Sequence, residues 1–198
     1  MLKNTCLVIS ILGVLLLVSC GDDKKTVAKA EVKPIADQIL ITDFEDPALQ
    51  INIFSGPQSK IDAKISSEQV KNGKSAARVE HSTKDWSGAV VVPPAEKRDW
   101  TGMKTFRMWV FGSNSKSQLN IDIPDAKKEF FRYSYVDDFE GWKELVIPLS
   151  DFKSRTDWQP SDASINKKMD FPIQELQFCT SGFGKGVHYF DDIIIDSK

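Results

Sequence analysis

From Gln38 onward the chain is a succession of short apolar or alternating runs: ILITDF, INIF, SAARVE, GAVVV, KTFRMWVFG, QLNIDI, EFFRYSYV, KELVIPL, IQELQF and VHYFDDIII. Runs of this length, almost none with a helical period, predict an all-β fold, an antiparallel β-sandwich. The stretches between them, such as SGPQS, KNGKS, FGSNSKS and SGFGKG, carry the Gly, Ser, Asn and Pro that tight turns require. The segment from Asp151 to Asn166 is longer and polar, with Trp158 and Pro160 in it, and predicts an ordered loop with one helical turn. Alternation also assigns faces. Arg107, Trp109 and Phe111 point one way and Phe106, Met108 and Val110 the other; Phe131, Tyr133 and Tyr135 share a side opposite Phe130, Arg132 and Ser134. Both faces around Trp109 are apolar or aromatic, although a sandwich core needs only one, so the second lines a groove or lies beneath a loop.

The start of the chain follows another pattern. Lys3 precedes the apolar run Leu7 to Val18, which falls short of the ~20 residues of a membrane-spanning helix and suits an export signal. The following Leu17-Val18-Ser19-Cys20-Gly21 resembles the lipobox of bacterial lipoproteins. That resemblance implies a signal peptide over residues 1–19, cleavage before Cys20 and acylation of its thiol, which would anchor the chain to a membrane. The alternative is a plain secretory signal with an incidental cysteine. Residues 20–37 are charged, Ala-rich and aperiodic, as a flexible tether would be, and the folded domain is expected over 38–198. Asp22-Asp23 resemble the surface-export signal of some envelope lipoproteins, so the expected location is the outer membrane of a bacterial envelope, either displayed at the surface or anchored facing the periplasm. Once Cys6 leaves with the signal and Cys20 is acylated, Cys179 has no partner for an internal disulfide and reads as a small buried filler.

Charge and motifs narrow the chemistry. Twenty-six Lys and Arg against 28 Asp and Glu, a formal net charge of −2, give no electrostatic reason to bind nucleic acid. Asn72-Gly73-Lys74-Ser75 imitates a phosphate loop, but Glu68 stands where the first glycine is needed. Gly182 to Gly186 has the wrong spacing for a dinucleotide turn, His81 and His188 fit no zinc spacing, and no nucleophile elbow is present. The expectation is a protein that is not an enzyme. Asp43-Phe44-Glu45-Asp46 after the first run and Asp191-Asp192 in the last would converge if the chain ends meet, supplying oxygens of the kind calcium takes; the alternative is ordinary strand-end acids, solvated or paired with lysine. Among the aromatics, core packing is expected for Trp100, Trp109 and Trp142, whereas Tyr133, Tyr135 and Trp158 are candidates for a surface where flat rings stack on sugar faces.

Taken in order, ITDFED, VKNGKSAARVE, DWSGA, DWTGMKTFRMWVFG, DDFEGWKELVIPLSDF with Trp158-Gln159-Pro160, and IQELQF with YFDDIII resemble a family 11 carbohydrate-binding module and its relative, the complex I intermediate-associated protein domain. The resemblance implies a galactose-binding-like jelly roll without catalytic activity. It implies a structural calcium held by Glu45 and Asp192 with the Lys74 carbonyl, and a polysaccharide cleft using Arg132, Tyr133 and Tyr135. With Trp158 these make a lipid-anchored polysaccharide binder the leading expectation. A rival is an envelope protein-interaction or assembly module on the same fold.

Overall fold

Alternation of side chains builds two facing sheets, and each strand gives its apolar side to the space between them. The computed structural model describes residues 37–182 and 184–198; the expected signal peptide, the acylation site Cys20 and nearly all of the tether lie outside them. The first sheet runs β3 (Lys60–Ser66), β4 (Ala76–Thr83), β12 (Gly184–Asp196), β6 (Thr105–Ser113) and β9 (Glu140–Pro148), with β1 (Gln38–Thr42) also paired to β12. The second runs β10 (Lys153–Ser154), β8 (Phe130–Val136), β7 (Gln118–Pro124), β11 (Leu176–Ser181), β5 (Trp86–Val91) and β2 (Ile51–Ser55). Every pairing is antiparallel. Among the described residues there is no α-helix, only 3-10 turns at Ala95–Lys97 and Leu149–Asp151. The sandwich is therefore as expected, with two strands, β3 and β10, beyond the runs picked out in the sequence.

Phe106, Met108 and Val110 of β6 share one core cluster with Ile121 and Ile123 of β7, and all five are fully buried. Burying a side chain of this size contributes ~1.5–3 kcal/mol. Trp100 is also fully buried, as expected. Trp109 and Trp142 are not core: register sets them, half-buried, on the outer face of the first sheet. There the Lys71 ammonium lies 3.9 Å from the Trp109 ring centre, so this second aromatic face lies beneath a loop.

The interior is not wholly apolar. His81 of β4 and His188 of β12 are each 1% exposed and stack with ring centres 5.2 Å apart and planes 12° from parallel. His188 Nε2 lies 3.0 Å from Asp137 Oδ2, and the Ser115 N–H donates to the same oxygen at 2.8 Å. Both ring nitrogens of His81 lack a hydrogen-bond partner. Gly186 opposes His81 in the ladder, and a Cβ there would come within 2.9 Å of His188 Cε1, so glycine makes room for the stacked rings.

β12 also changes neighbours along its length. It pairs with β4 from Gly184 to Phe190 and with β1 from Ile193 to Asp196. Between them the register slips, and Asp192 takes a left-handed φ of 44°.

Candidate functional site

The outer face of the second sheet carries a groove of about 640 Å³, within the ~300–1,000 Å³ of ligand-binding clefts. Its floor consists of the outward side chains of the central strands: Asp122 of β7, Arg132 of β8, and Gln177 and Cys179 of β11. At one end stand Phe54 and Trp86, their ring centres 6.0 Å apart. At the other, Arg155, Asp157 and Trp158 come from the loop that follows β10. Gly88 is needed beneath the first end, because a Cβ there would meet Phe54 Cζ at 2.4 Å and Cys179 Sγ at 3.0 Å.

A network of two acids and two bases holds the floor. Asp122 is fully buried, and its carboxylate accepts from Arg132 Nε at 2.6 Å, Arg132 Nη2 at 2.7 Å and Arg155 Nη1 at 3.0 Å. Asp157 accepts from Arg155 Nε at 3.1 Å and Nη2 at 2.9 Å, and from Arg132 Nη1 at 3.3 Å. The Arg155 guanidinium beside it holds the Asp157 carboxyl down at about 2, so this acid is ionised throughout the physiological range. Burial opposes the charge of Arg132, but the Asp122 carboxylate outweighs it and leaves the guanidinium pKa raised. Burial pushes the Cys179 thiol up, which keeps it protonated and makes it a filler of the floor rather than a nucleophile.

Above this floor the rings are accessible: Trp86 is 50% exposed and Trp158 53%. Trp158 is nonetheless held, edge-on to Phe130 at 5.4 Å and with the Arg155 guanidinium 5.4 Å from its centre. Flat rings at both ends, with fixed donors and an ionised acceptor between them, suit a ligand that is apolar on its faces and hydroxylated at its edges.

Of the side chains expected to bind sugar, the structure brings Arg132 and Trp158 to the groove and places Tyr133 and Tyr135 on the opposite, inner face of β8. Strand alternation requires this, since Tyr133 pairs with Ile121 and Tyr135 with Leu119, both core residues. Tyr133 packs against Phe152 at 5.8 Å, Tyr135 lines a small interior cavity with His81 and His188, and burial pushes its phenol pKa up. Phe54, Trp86, Asp122, Arg155 and Asp157 do not stand out as ligand contacts in the sequence. The Arg155-Thr156-Asp157-Trp158 run, a base and an acid beside an aromatic in a loop, was the available signal.

Glu45, Lys74 and Asp192 do come to one corner, around the loop of residues 71–75. Glu45 Oε1 accepts from the N–H groups of Lys74 at 2.7 Å and Ser75 at 2.8 Å, and the Lys74 N–H chiefly lowers its pKa. Asp191 Oδ2 accepts from Lys71 and Asn72 N–H at 3.0 and 3.1 Å, while the Asn72 side-chain amide donates to Asp192. Burial raises the Asp191 pKa. Calcium needs ~6–8 oxygen ligands, whereas this loop turns N–H donors toward the acids. Among the described residues no cluster of three or more His, Cys, Asp or Glu is spaced to hold a metal. As placed, the residues do not fit a calcium cage.

The fold and groove define a β-sandwich binding module. The family model for the carbohydrate-binding domain of family 11 matches residues 28–194, and the chain belongs to that family. It is a family of non-catalytic carbohydrate-binding modules. The chain is 26% identical over 131 residues to a mannan endo-1,4-beta-mannosidase of Bifidobacterium adolescentis (64% of this chain, 13% of that protein). It is 25% identical over 161 residues to endoglucanase H of Acetivibrio thermocellus (78% of this chain, 17% of that protein). The chain thus spans less than a fifth of either enzyme. Among solved structures, the family 11 module of Clostridium thermocellum in complex with a beta-1,3-1,4-mixed-linked tetrasaccharide superposes with a TM-score of 0.72 at 22% identity, covering 82% of this chain and 97% of that one. A family 30 carbohydrate-binding module superposes with a TM-score of 0.60 at 13% identity, covering 81% of this chain and 88% of its own.

Proposed function

We propose that the groove on the second sheet binds a polysaccharide, with Trp86 and Trp158 stacking on sugar rings and Arg132, Arg155 and Asp157 bonding hydroxyls. The observation that carries this reading is the pair of half-exposed tryptophans at the two ends of a rigid ion-pair floor. Preformed charge pairs keep the arginines oriented while leaving further N–H groups for the ligand, so little ordering is needed on binding. The mixed-linkage tetrasaccharide bound by the Clostridium thermocellum module supports a β-linked glucan as the first ligand to test. The lipobox-like sequence at Cys20 and the charged segment after it support a second element of the reading: a lipid anchor and tether that hold the module at a bacterial outer membrane.

The test is titration of the purified chain with a panel of β-glucans, mannans and xylans, read by tryptophan fluorescence. Saturable binding selective for one glycan, weakened about tenfold or more in Trp158→Ala and in Trp86→Ala, is expected. A folded protein with a flat response across the panel would refute glycan binding and favour a protein-interaction module. Metabolic labelling with a fatty acid, lost in Cys20→Ala, checks the anchor.

A further inference from the structure

We infer that Gln159 is a positioning residue for the groove: its side-chain amide docks the loop of residues 155–160 onto the start of β8 and so fixes where Trp158 stands. The inference rests on the reading of Trp158 as a stacking residue. β10 pairs with β8 over only two residues, Lys153 with Arg132 and Ser154 with Phe131, and the Arg155 N–H then donates to the Phe130 carbonyl at 2.9 Å. Beyond that point the loop leaves the sheet, and the N–H of Phe130 needs another partner. Gln159 supplies it. Its Oε1 accepts from the Phe130 N–H at 2.8 Å, and its Nε2 donates to the Phe130 carbonyl at 3.0 Å and to the Arg155 carbonyl at 3.0 Å. One amide therefore acts as an extra rung of the ladder and closes the turn between Arg155 and Gln159.

What that rung fixes is the neighbouring ring. Trp158 precedes Gln159 directly and packs against the side chain of Phe130, the residue whose backbone Gln159 grips. Pro160 disfavours helical backbone at Gln159, in keeping with a loop that runs back along the edge of β8. Trp158 is 53% exposed, and both groups its ring touches, the Phe130 side chain and the Arg155 guanidinium, belong to residues whose backbone Gln159 bonds. Asn at this position would be one methylene too short to span to Phe130, and Leu would keep the volume without the bonds.

The experiment pairs Gln159→Leu with Trp158→Ala in the full chain, titrated with a mixed-linkage β-glucan tetrasaccharide. Gln159→Leu is expected to weaken binding about tenfold through lost preorganisation, and to weaken it no further when Trp158 is already alanine. An equal loss in both backgrounds, or no loss in the wild-type background, would overturn the positioning role. Trp158→Ala binding like wild type would overturn the groove reading itself, and this inference with it. Amide hydrogen exchange provides a readout that needs no ligand. Residues 155–160 should exchange at least about tenfold faster in Gln159→Leu while β7 and β11 stay unchanged, and unaltered exchange would also overturn the assignment.

Discussion

Acid should weaken this sandwich well above the pH at which its carboxylates titrate, because His81 is buried without a partner. Burial, with the neighbouring His188 adding a like charge, pushes the His81 imidazole down from 6.5 to about 4. The unfolded chain therefore takes up the proton first, and stability falls as pH drops through 6.5, with the loss complete near 4. A tenfold difference in proton affinity between the two states is worth ~1.4 kcal/mol, so the full window amounts to about 3 kcal/mol. For a domain of this size that corresponds to a melting temperature lowered by roughly 6–12 °C. His188 shifts the same way, chiefly by burial, although Asp137 opposes it. Burial also opposes the charge of Asp137, but its bonds from Ser115 and His188 hold its pKa at about 2, so its contribution persists until pH falls below the ordinary 3.8 and does not blur the histidine window. The assay is thermal melting at half-unit steps from pH 7.5 to 4.5 for wild type and His81→Phe, which keeps a flat ring against His188. The variant should lose much less stability with acid, whatever its melting temperature at neutral pH. Parallel curves for the two proteins, or a flat wild-type curve above pH 4.5, would refute the argument.

Other outcomes follow from the groove and its surroundings. Trp158→Ala and Trp86→Ala should each weaken glycan binding by about tenfold or more with little change in melting temperature, since both rings are half-exposed. Tyr135→Phe should leave glycan affinity intact, because the phenol faces the core side; a loss in the titration would contradict that placement. Asp122→Ala strands two buried-side guanidiniums and should cost about 3–5 kcal/mol in urea denaturation and abolish binding. Chelation with EDTA should leave the melting temperature unchanged, and a drop reversed by calcium would show that the corner at residues 71–75 rearranges around a cation.

The sandwich was legible because apolar alternation is a local property. Even β3, absent from the runs picked out, shows it in Ile61, Ala63 and Ile65 between charged residues. Faces were legible too: the alternation that sets Arg132 apart from Tyr133 and Tyr135 is in the sequence, and it outweighs the family resemblance that would put all three in one cleft. What no single segment could show was the floor of the groove. Asp122 lies inside an apolar run, and only pairing of β7 with β8, followed by return of the chain through β10, brings it to Arg132 and Arg155. For Trp109 and Trp142, aromatic content alone suggested the core, and the deciding fact was which side of the first sheet each ring occupies.

The neighbour change along β12 governs how the module can be joined to other things. Because β1 takes over the ladder where β4 leaves it, Gln38 pairs with Asp196, and the two ends of the fold emerge side by side from the sheet that does not bear the groove. The chain ends and the groove thus lie on separate sheets. A short peptide could close the ends into a circle, and the whole fold could be spliced into a loop of another protein with its groove still facing outward.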